Sequence, residues 1–502
     1  MKLASRLLTS LLGLAVLASP LQATWSIVCV NLKTREVGVA TATCLENFNL
    51  KSGVPVIFVG EGAAAAQSLL DTFGMNRRLI YFSFRDTEET PAEILARLAD
   101  TDFGHQTRQY GIVNFTGPPV TFTGTGAGAA ALGVTGQVGD WVYAIQGNIL
   151  TGDEVILAAE HAFKFAKGDM GQKLMAAMHA ARDLGGDGRC SCSQNQPTSC
   201  GVPPNDGDFE KSSHVGTVVV ARMGDANGGC NANRGCAKGD YYMTLNVVGD
   251  ASDPDPVFTL QERYDNWRRK HVNAPDGHLS SVRGVKRMPI DGLTQTTLTV
   301  VLRDIEGRQL LDDLARVEVV PFEGETPRTT IGPVNNLGNG LYSFTVTAGT
   351  EIGVDRFMVK AGLGTVEATL FPFLEIESVP ATGLFLMNER VSSHEGGTLP
   401  FVLHAPERPG APYWIFGSLQ PSGTRLFAPG LVTPAVPLNV GIEPFFPAAP
   451  LTLDANGRDE VALHAPPAAL DGLVGARIEW TGVVLGGPEP SATDVAVVDV
   501  RP

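Results

Sequence analysis

The stretch Thr24-Trp25-Ser26-Ile27-Val28-Cys29-Val30 is apolar and rich in β-forming residues. A short polar segment separates it from a second apolar run, Val37 to Thr43. The pattern predicts a β-hairpin whose two strands are buried on both faces. With the turn centred on Lys33-Thr34, the numbers of paired residues sum to about 67, which places Thr43 opposite Thr24.

The residues before this hairpin have the pattern of a cleaved secretion signal. Lys2 and Arg6 precede an apolar run from Leu7 to Ala18, and a short stretch ending in the small residue Ala23 follows. The run is too short to span a bilayer, and no later stretch has about 20 consecutive apolar residues. We therefore expect cleavage after Ala23, export to the periplasm or the medium, and no membrane span.

The composition favours several acidic, turn-rich domains. At about 150 residues per domain, a chain of 502 residues suggests about three domains. The 57 Gly and 33 Pro residues indicate many turns between short strands. Acidic residues outnumber basic ones by 53 to 38. This balance argues against a nucleic-acid partner, because binding to phosphates requires Lys and Arg.

Helix signals concentrate in the first half of the chain. Thr90-Pro91-Ala92-Glu93 has the form of a capping box and predicts a helix to about Asp100. We expect further helices at 154–165 and 172–184, and strands at 109–113, 120–123, 141–146, 214–223 and 241–248. Two groups of strands flanked by helices predict an α+β domain.

The rest of the chain has the alternation of apolar and polar residues that is typical of β-sandwiches. Tyr342, Phe344 and Val346 are expected to share one face, and Asn456-Gly457 predicts a tight hairpin turn. We find no strong internal repeat. The predicted division is a signal peptide at 1–23, an α+β domain at 24–250, a connector with a short helix at 251–292, an Ig-like β-sandwich at 293–380 and an all-β module at 381–502.

Five of the seven cysteines fall within one short segment: Cys190, Cys192, Cys200, Cys230 and Cys236. In an exported protein such a cluster favours disulfides that hold a loop, here an insertion at 188–237. A zinc site is the alternative, but Cys-x-Cys without a close His fits structural zinc spacings poorly. The hairpin register keeps Cys29 and Cys44 too far apart to bridge each other. An odd count leaves at least one thiol free or paired between chains.

Familiar catalytic motifs are absent from the sequence, including Gly-x-Ser-x-Gly, His-Glu-x-x-His and the phosphate loop. The Gly-rich segment 124–129 lacks the later acidic residue of a dinucleotide site, so we interpret it as a structural turn. Asp225-Ala226-Asn227-Gly228 resembles the start of a calcium loop without its later acidic ligands. We therefore expect no metal and no cofactor.

Thr24 is the residue best suited to a catalytic role. Cleavage after Ala23 would make it the first residue of the mature chain. An N-terminal Thr carries a nucleophilic hydroxyl and, in its own α-amine, a base with a pKa of about 7.7–8.0. The alternative interpretation is that Thr24 is merely the residue at which a signal peptidase cuts.

Residues 24–248 resemble an uncharacterised family of N-terminal-nucleophile (Ntn) hydrolase-like domains, the domain-of-unknown-function family ten-twenty-eight. Its members open with Thr-[Phe/Trp]-Ser-Ile-Val, as Thr24–Val28 does here. Further matching motifs are Val37-Gly38-Val39-Ala40, Val54-Pro55, Gly60-Glu61-Gly62-Ala63, Arg108-Gln109-Tyr110-Gly111, Tyr143 to Leu150 and Gly185-Gly186-Asp187.

The resemblance implies a four-layer αββα fold and hydrolysis of an amide or related bond. Thr24 matches the presumed nucleophile, and Asn148 matches a Gln-Gly-Asn motif and is a candidate oxyanion donor. Thr43 stands where relatives often have Ser. Arg108 and Asp187 are candidate substrate-binding residues, and ion-paired surface or loop residues are an equally weighted interpretation. The Cys-rich insertion departs from the family pattern, so the resemblance does not predict which residues form the rim of a substrate site.

Together these patterns predict an exported amidohydrolase that acts on a small amide or peptide-like substrate. A cell-surface polymer is a candidate ligand of the two β modules, and the oligomeric state stays open. The alternative is a non-catalytic secreted binding or surface protein that uses the Ntn fold as a scaffold beside adhesive β-sandwiches.

Overall fold

A computed structural model describes residues 23–204, 209–311, 313–380, 382–387, 390–392, 397–418, 450–465, 477–485, 491–492 and 496–501. The chain divides into two compact units, residues 1–266 and 267–502. The predicted signal peptide lies outside the described residues except for Ala23. No helix in the described part of the chain is both long and apolar enough to cross a membrane.

The first unit is mixed α+β, with more strands than helices. In chain order its elements are β1 (Thr24–Asn31), β2 (Val37–Thr43), α1 (Leu50–Gly53), β3 (Pro55–Phe58), β4 (Gly62–Ser68), α2 (Met75–Asp86), α3 (Pro91–Thr101), β5 (Arg108–Asn114), β6 (Val120–Thr123), β7 (Leu132–Val138), β8 (Trp141–Asn148), α4 (Glu154–Phe165), α5 (Met170–Asp183), α6 (Gly188–Ser191), β9 (Val215–Ala221), β10 (Met243–Val247) and α7 (Pro256–His271), which crosses the unit boundary.

The strands form two antiparallel sheets. One sheet has the order β10-β9-β2-β1-β8-β7 and the other the order β3-β4-β5-β6. Trp25 pairs with Ala42 and Val30 with Val37, so the predicted hairpin register is confirmed. Every residue of β1 and β2 is buried, as their continuous apolar sequences indicated.

Packing on both faces explains this burial. Val28 and Val39 share an apolar core with Ile57 and Ala63 of the four-stranded sheet. On the other face, a Cβ at Gly38 would clash with the Met170 sulfur of α5, so the helix lies directly on the sheet. Helices α2 and α3 cover the outer face of the four-stranded sheet through a second core that contains Ile80, Phe84, Ile94, Leu98 and Ile112.

The helix signals are confirmed in most places. Thr90 and Glu93 form the expected capping box at the start of α3. Helix α4 has the predicted bounds, and α5 begins at Met170 because Asp169 and Gln172 form a second capping box that the sequence analysis overlooked. Helix α2 is not among the sequence predictions. The connector helix is longer than expected, since α7 begins at Pro256.

The described part of the second unit is built of strands after the end of α7. They are β11 (Ser281–Arg283), β12 (Arg287–Pro289), β13 (Gln295–Val301), β14 (Arg316–Pro321), β15 (Thr330–Ile331), β16 (Asn335–Gly338), β17 (Leu341–Thr347), β18 (Gly353–Leu363), β19 (Val366–Thr369), β20 (Leu374–Val379), β21 (Gly383–Leu386), β22 (Arg390–Ser392), β23 (Gly397–His404), β24 (Pro412–Ser418), β25 (Leu451–Thr452), β26 (Arg458–Ala465), β27 (Arg477–Val484), β28 (Ser491–Ala492) and β29 (Ala496–Arg501).

These strands form two pairs of sheets. The sheets β11-β13-β17-β15 and β12-β20-β18-β14 enclose a core in which Tyr342, Phe344 and Val346 share the buried face of β17, as predicted. The sheets β21-β23-β26 and β22-β29-β27-β24-β25 enclose a second core around Phe401 and Trp480. The remaining strands β16, β19 and β28 add to the edges of these sheets.

One turn occurs in both β modules and was missed as a sequence repeat. The Asp304 carboxylate accepts hydrogen bonds from the backbone N–H groups of Glu306 and Arg308. In the same way, the Asp454 carboxylate accepts bonds from the N–H groups of Asn456 and Arg458, two and four residues later in the sequence. Gly457 has a left-handed φ of 73°, so the expected tight turn is present. The predicted hairpin is wrong, because β25 pairs with β24 whereas β26 pairs with β23. The turn therefore carries the chain between sheets.

Candidate active site

Thr24 lies at the first position of the central strand β1. It is directly opposite Asn148 of β8, and continuation of the hairpin register places it opposite Thr43 of β2. Its exposed fraction is 2% with Ala23 in place. The structure thus brings together the three residues that the sequence singled out for catalysis.

The peptide carbonyl that precedes Thr24 is surrounded by hydrogen-bond donors. The Thr24 hydroxyl donates to the Ala23 carbonyl oxygen at 2.6 Å. The Thr43 hydroxyl donates to the same oxygen, and Nη2 of Arg189 donates to it at 3.1 Å. A carbonyl next to the Thr24 hydroxyl is therefore held by one hydroxyl and one cation from other parts of the chain.

Asp187 positions Arg189. Its carboxylate is fully buried and accepts bonds from Nη2 of Arg189 at 2.8 Å, from Nε at 3.1 Å and from the Cys44 backbone N–H at 2.7 Å. A disulfide between Cys44 and Cys190 ties the same two segments together. Asp187 is therefore an ion-paired residue beneath the site, in agreement with the alternative interpretation. Arg189 was missed because nothing in its local sequence marks it.

Asn148 contacts a second residue that the sequence analysis missed. Its Nδ2 donates to the Ala127 carbonyl at 2.9 Å and to the Ser68 hydroxyl at 3.2 Å. Ser68 and Ile149 both have a left-handed backbone, with φ of 68° and 52°. Such a conformation costs a non-glycine residue about 1–3 kcal/mol and occurs preferentially at functional sites. The strain on both sides of Asn148 supports a functional role for this end of the sheets.

A buried polar chain links the two sheets below Thr24. Nε2 of Gln67 donates to the Thr24 carbonyl at 2.8 Å and to Oε1 of Gln109 at 2.8 Å. The Ser26 hydroxyl donates to Oε1 of Gln67 at 2.5 Å. These bonds satisfy polar groups that would otherwise be buried at a cost, so they hold Thr24 in a defined position. The sequence did contain a sign of this role, because Gln67 is a large polar residue in a strand otherwise made of Gly, Ala and Ser.

Arg108 is committed to an ion pair. Its Nε and Nη2 donate to Asp102 at 2.8 and 3.3 Å, and Nη1 donates to the Leu69 carbonyl. Burial alone would raise the pKa of Asp102, but hydrogen bonds from Arg108, Asn76 and a backbone N–H outweigh it and lower this pKa to about 2. The ion-paired interpretation again agrees with the geometry, although Arg108 also lines a cavity.

This cavity has a volume of about 650 Å³, and Leu69, the residue after Ser68, is one of the residues that line it. Its walls combine apolar side chains with charged ones, among them Phe48, Leu70, Asp71, Arg77 and Arg108. Asn233 of the Cys-rich insertion also lines it, so the insertion contributes to the rim.

Residues 24–195 match the family of unknown function DUF1028. No curated protein matches the chain. Among solved structures, SPO2555 from Silicibacter pomeroyi, a DUF1028 protein, is 18% identical, with 49% of this chain and 88% of that chain covered and a TM-score of 0.35. The Escherichia coli adhesin FdeC is 12% identical, with 95% and 99% covered and a TM-score of 0.17. Domains 5–6 of the S-layer protein SbsC are 16% identical, with 44% and 95% covered and a TM-score of 0.22.

The cysteines form three disulfides, and Cys29 is a buried free thiol. Cys192 pairs with Cys200 and Cys230 with Cys236 within the predicted cluster, whereas Cys190 pairs with the distant Cys44. His214 lies beside that last pair, with its ligand atom within 4.8 Å of both sulfurs. Because the two sulfurs are bonded to each other, the trio offers no thiolate to a metal.

Asp225 also has a structural role. Its carboxylate accepts backbone N–H bonds from Arg222 and Tyr242, both within 2.8 Å. It thereby closes a turn. Burial raises the pKa of this carboxyl to about 6, despite the lowering effect of these two hydrogen bonds.

Proposed function

We propose that the mature chain is an exported hydrolase for amide (C–N) bonds with Thr24 as its N-terminal nucleophile. The observation that carries the proposal is the set of donors around the Ala23 carbonyl, which lies next to the Thr24 hydroxyl. Removal of residues 1–23 would free Thr43 and Arg189 to hold a substrate carbonyl in the same place.

The chemistry follows from this placement. The α-amine of Thr24 accepts the proton of its hydroxyl, and the hydroxyl oxygen attacks the amide carbon. The Thr43 hydroxyl and the Arg189 guanidinium stabilise the resulting oxyanion. The protonated amine then gives its proton to the leaving nitrogen as the C–N bond breaks, which leaves an ester on Thr24. Water, deprotonated by the amine, cleaves the ester and releases a carboxylic acid.

Arg189 and Thr43 replace Asn148 as the best-supported oxyanion donors. Both contact the Ala23 oxygen, whereas Nδ2 of Asn148 donates to Ala127 and Ser68. The contacts of Asn148 fit a role in holding Ser68. Its role as an oxyanion donor remains a prediction.

Two further observations support an Ntn-type enzyme in an extracellular setting. Two face-to-face sheets with helices on both outer sides have the layer order expected of the Ntn fold. Three disulfides are compatible with an oxidising compartment. A small amide or peptide-like molecule is the proposed substrate, and the β modules would hold the enzyme on a surface polymer.

N-terminal sequencing of the exported protein is the first test. The proposal requires Thr24 as the first residue, and any other mature N-terminus refutes it. The second test is a screen of acyl-p-nitroanilides with the wild type, Thr24→Ala and Thr24→Ser. We expect a loss of about a thousand-fold or more for the alanine variant and partial activity for the serine variant. Thr34→Ala, in the hairpin turn away from the site, is the matched control and should retain wild-type activity.

A non-catalytic binding protein is the second candidate. Several large apolar side chains of the second unit are exposed, among them Leu311 at 78%, Leu314 at 77% and Ile352 at 61%. Exposed apolar groups favour contact with another surface where they lie together in one patch. If the mature N-terminus is Thr24 but neither the wild type nor Thr24→Ala cleaves any amide of the screen, this candidate is preferred.

A further inference from the structure

Arg77 is a cation that the fold buries beside the cavity at Leu69. It is the third residue of α2, and its exposed fraction is 6%. Nη1 donates to the Ser52 carbonyl. Within the part of the chain that the structure describes, no carboxylate oxygen lies within 4.0 Å of the guanidinium nitrogens. Burial lowers the pKa of Arg77, and the charge of Asp71 opposes this effect.

The other charged groups of the cavity already have partners. The guanidinium of Arg108 is paired with Asp102. The Asp71 carboxylate accepts the backbone N–H bonds of Phe73 and Asn76, each at 3.0 Å, and so caps the start of α2. Arg77 is therefore the cation of this cavity that is available to a ligand.

A guanidinium has five N–H donors in a planar arrangement that matches a carboxylate. A buried cation without an ion-pair partner costs free energy, which a bound anion offsets. The remaining walls include the apolar side chains of Phe48, Leu69 and Leu70. We propose that the cavity binds a small molecule with a carboxylate on Arg77 and an apolar chain against Phe48 and Leu70.

Leu69, which lines the cavity, follows Ser68 in the chain. The Ser68 hydroxyl contacts Asn148, and Asn148 lies opposite Thr24. The binding site stands independently of catalysis. Its assignment to the substrate rests on the proposed function, and it then names the substrate class as an amide that carries a carboxylate.

Calorimetric titration of the full exported chain tests the site, with hexanoate as the probe and hexanamide as its uncharged isostere. We expect hexanoate to bind at least about ten-fold more tightly than hexanamide, because a hydrogen bond between two charged groups is stronger than one to a neutral amide. Arg77→Gln should remove this preference and Arg77→Lys should retain part of it. Arg78→Gln changes the exposed neighbouring arginine and should bind hexanoate like the wild type.

Asp71→Asn is a second variant that distinguishes an effect of charge in the cavity from a general loss of structure. The asparagine keeps an oxygen to cap α2 but removes a negative charge from the cavity, so hexanoate affinity should rise about two- to five-fold at low salt. Equal affinity for the two probes, or a preference unchanged in Arg77→Gln, overturns the proposal. Thr24→Ala should bind hexanoate with unchanged affinity. Hexanoate binding in a protein that cleaves no amide leaves the anion site supported and refutes the proposed function alone.

Discussion

Asp187 and Arg189 form a buried ion pair that holds a guanidinium nitrogen 3.1 Å from the Ala23 carbonyl oxygen. The two residues come from the short helix α6 and its N-cap, 163 positions or more beyond Thr24 in sequence. Their partner segment is the end of β2, where Thr43 and Cys44 lie. The pair is thus the element through which the Cys-rich insertion reaches the start of β1.

Arg189→Lys should lower the turnover of an amide substrate by about ten- to a hundred-fold. Lysine keeps the charge beside Asp187 but has no planar fork, so it cannot bind the carboxylate and the substrate carbonyl together. The measurement is kcat and KM, with circular dichroism as a check on folding. Arg234→Gln, an exposed arginine of the same insertion, is the control. Wild-type kcat in Arg189→Lys would remove Arg189 from the proposed oxyanion site.

Loss of the Cys44–Cys190 disulfide should destabilise the first unit more than loss of Cys192–Cys200. The two bridges close loops with sequence separations of 146 and 8. Loop-closure entropy predicts losses of about 5 and about 2.5 kcal/mol respectively. Denaturant unfolding of the two double Cys→Ala variants measures the difference. Equal losses would show that the entropy of the unfolded chain does not decide the contribution of these bridges.

Asp225→Asn should stabilise the protein at pH 8 and have little effect at pH 4. The pKa of Asp225 is raised on folding from 3.8 to about 6, so its stabilising contribution is complete below pH 3.8 and is lost as the pH rises through 6. The expected gain at pH 8 is about 1 kcal/mol, because part of the shift is screened by solvent. Urea midpoints at both pH values measure it. A gain at pH 4 as large as at pH 8 would contradict the assignment.

Cys29 should be the single titratable thiol of the chain and should react only after unfolding. It is fully buried on β1, and burial raises the pKa of its thiol, so the reactive thiolate is not formed near neutral pH. Labelling with a maleimide followed by intact-mass measurement should give no adduct on the native protein and one in denaturant. Two or more adducts without reductant would show that a disulfide is absent.

Local signals predicted the elements whose sequences are unambiguous. Continuous apolar runs with a polar turn between them gave β1 and β2 and their register, and the Thr90 capping box gave α3. Helix α2 was missed because its N-cap residue is Gly74, which has no side chain to mark the helix start, and because it contains the run Leu79 to Phe84, which is equally typical of a strand.

The sequence by itself determined that Thr24 begins a buried central strand and that Thr43 lies across from it, because strand pairing over a short turn depends on local pattern alone. The tertiary structure decided what surrounds them. Arg189, Asp187 and the Cys44–Cys190 disulfide reach the site from more than 140 positions away, and Ser68 comes from the opposite sheet. Contacts of that kind arise when separate layers pack against each other, and no periodicity within one segment records them.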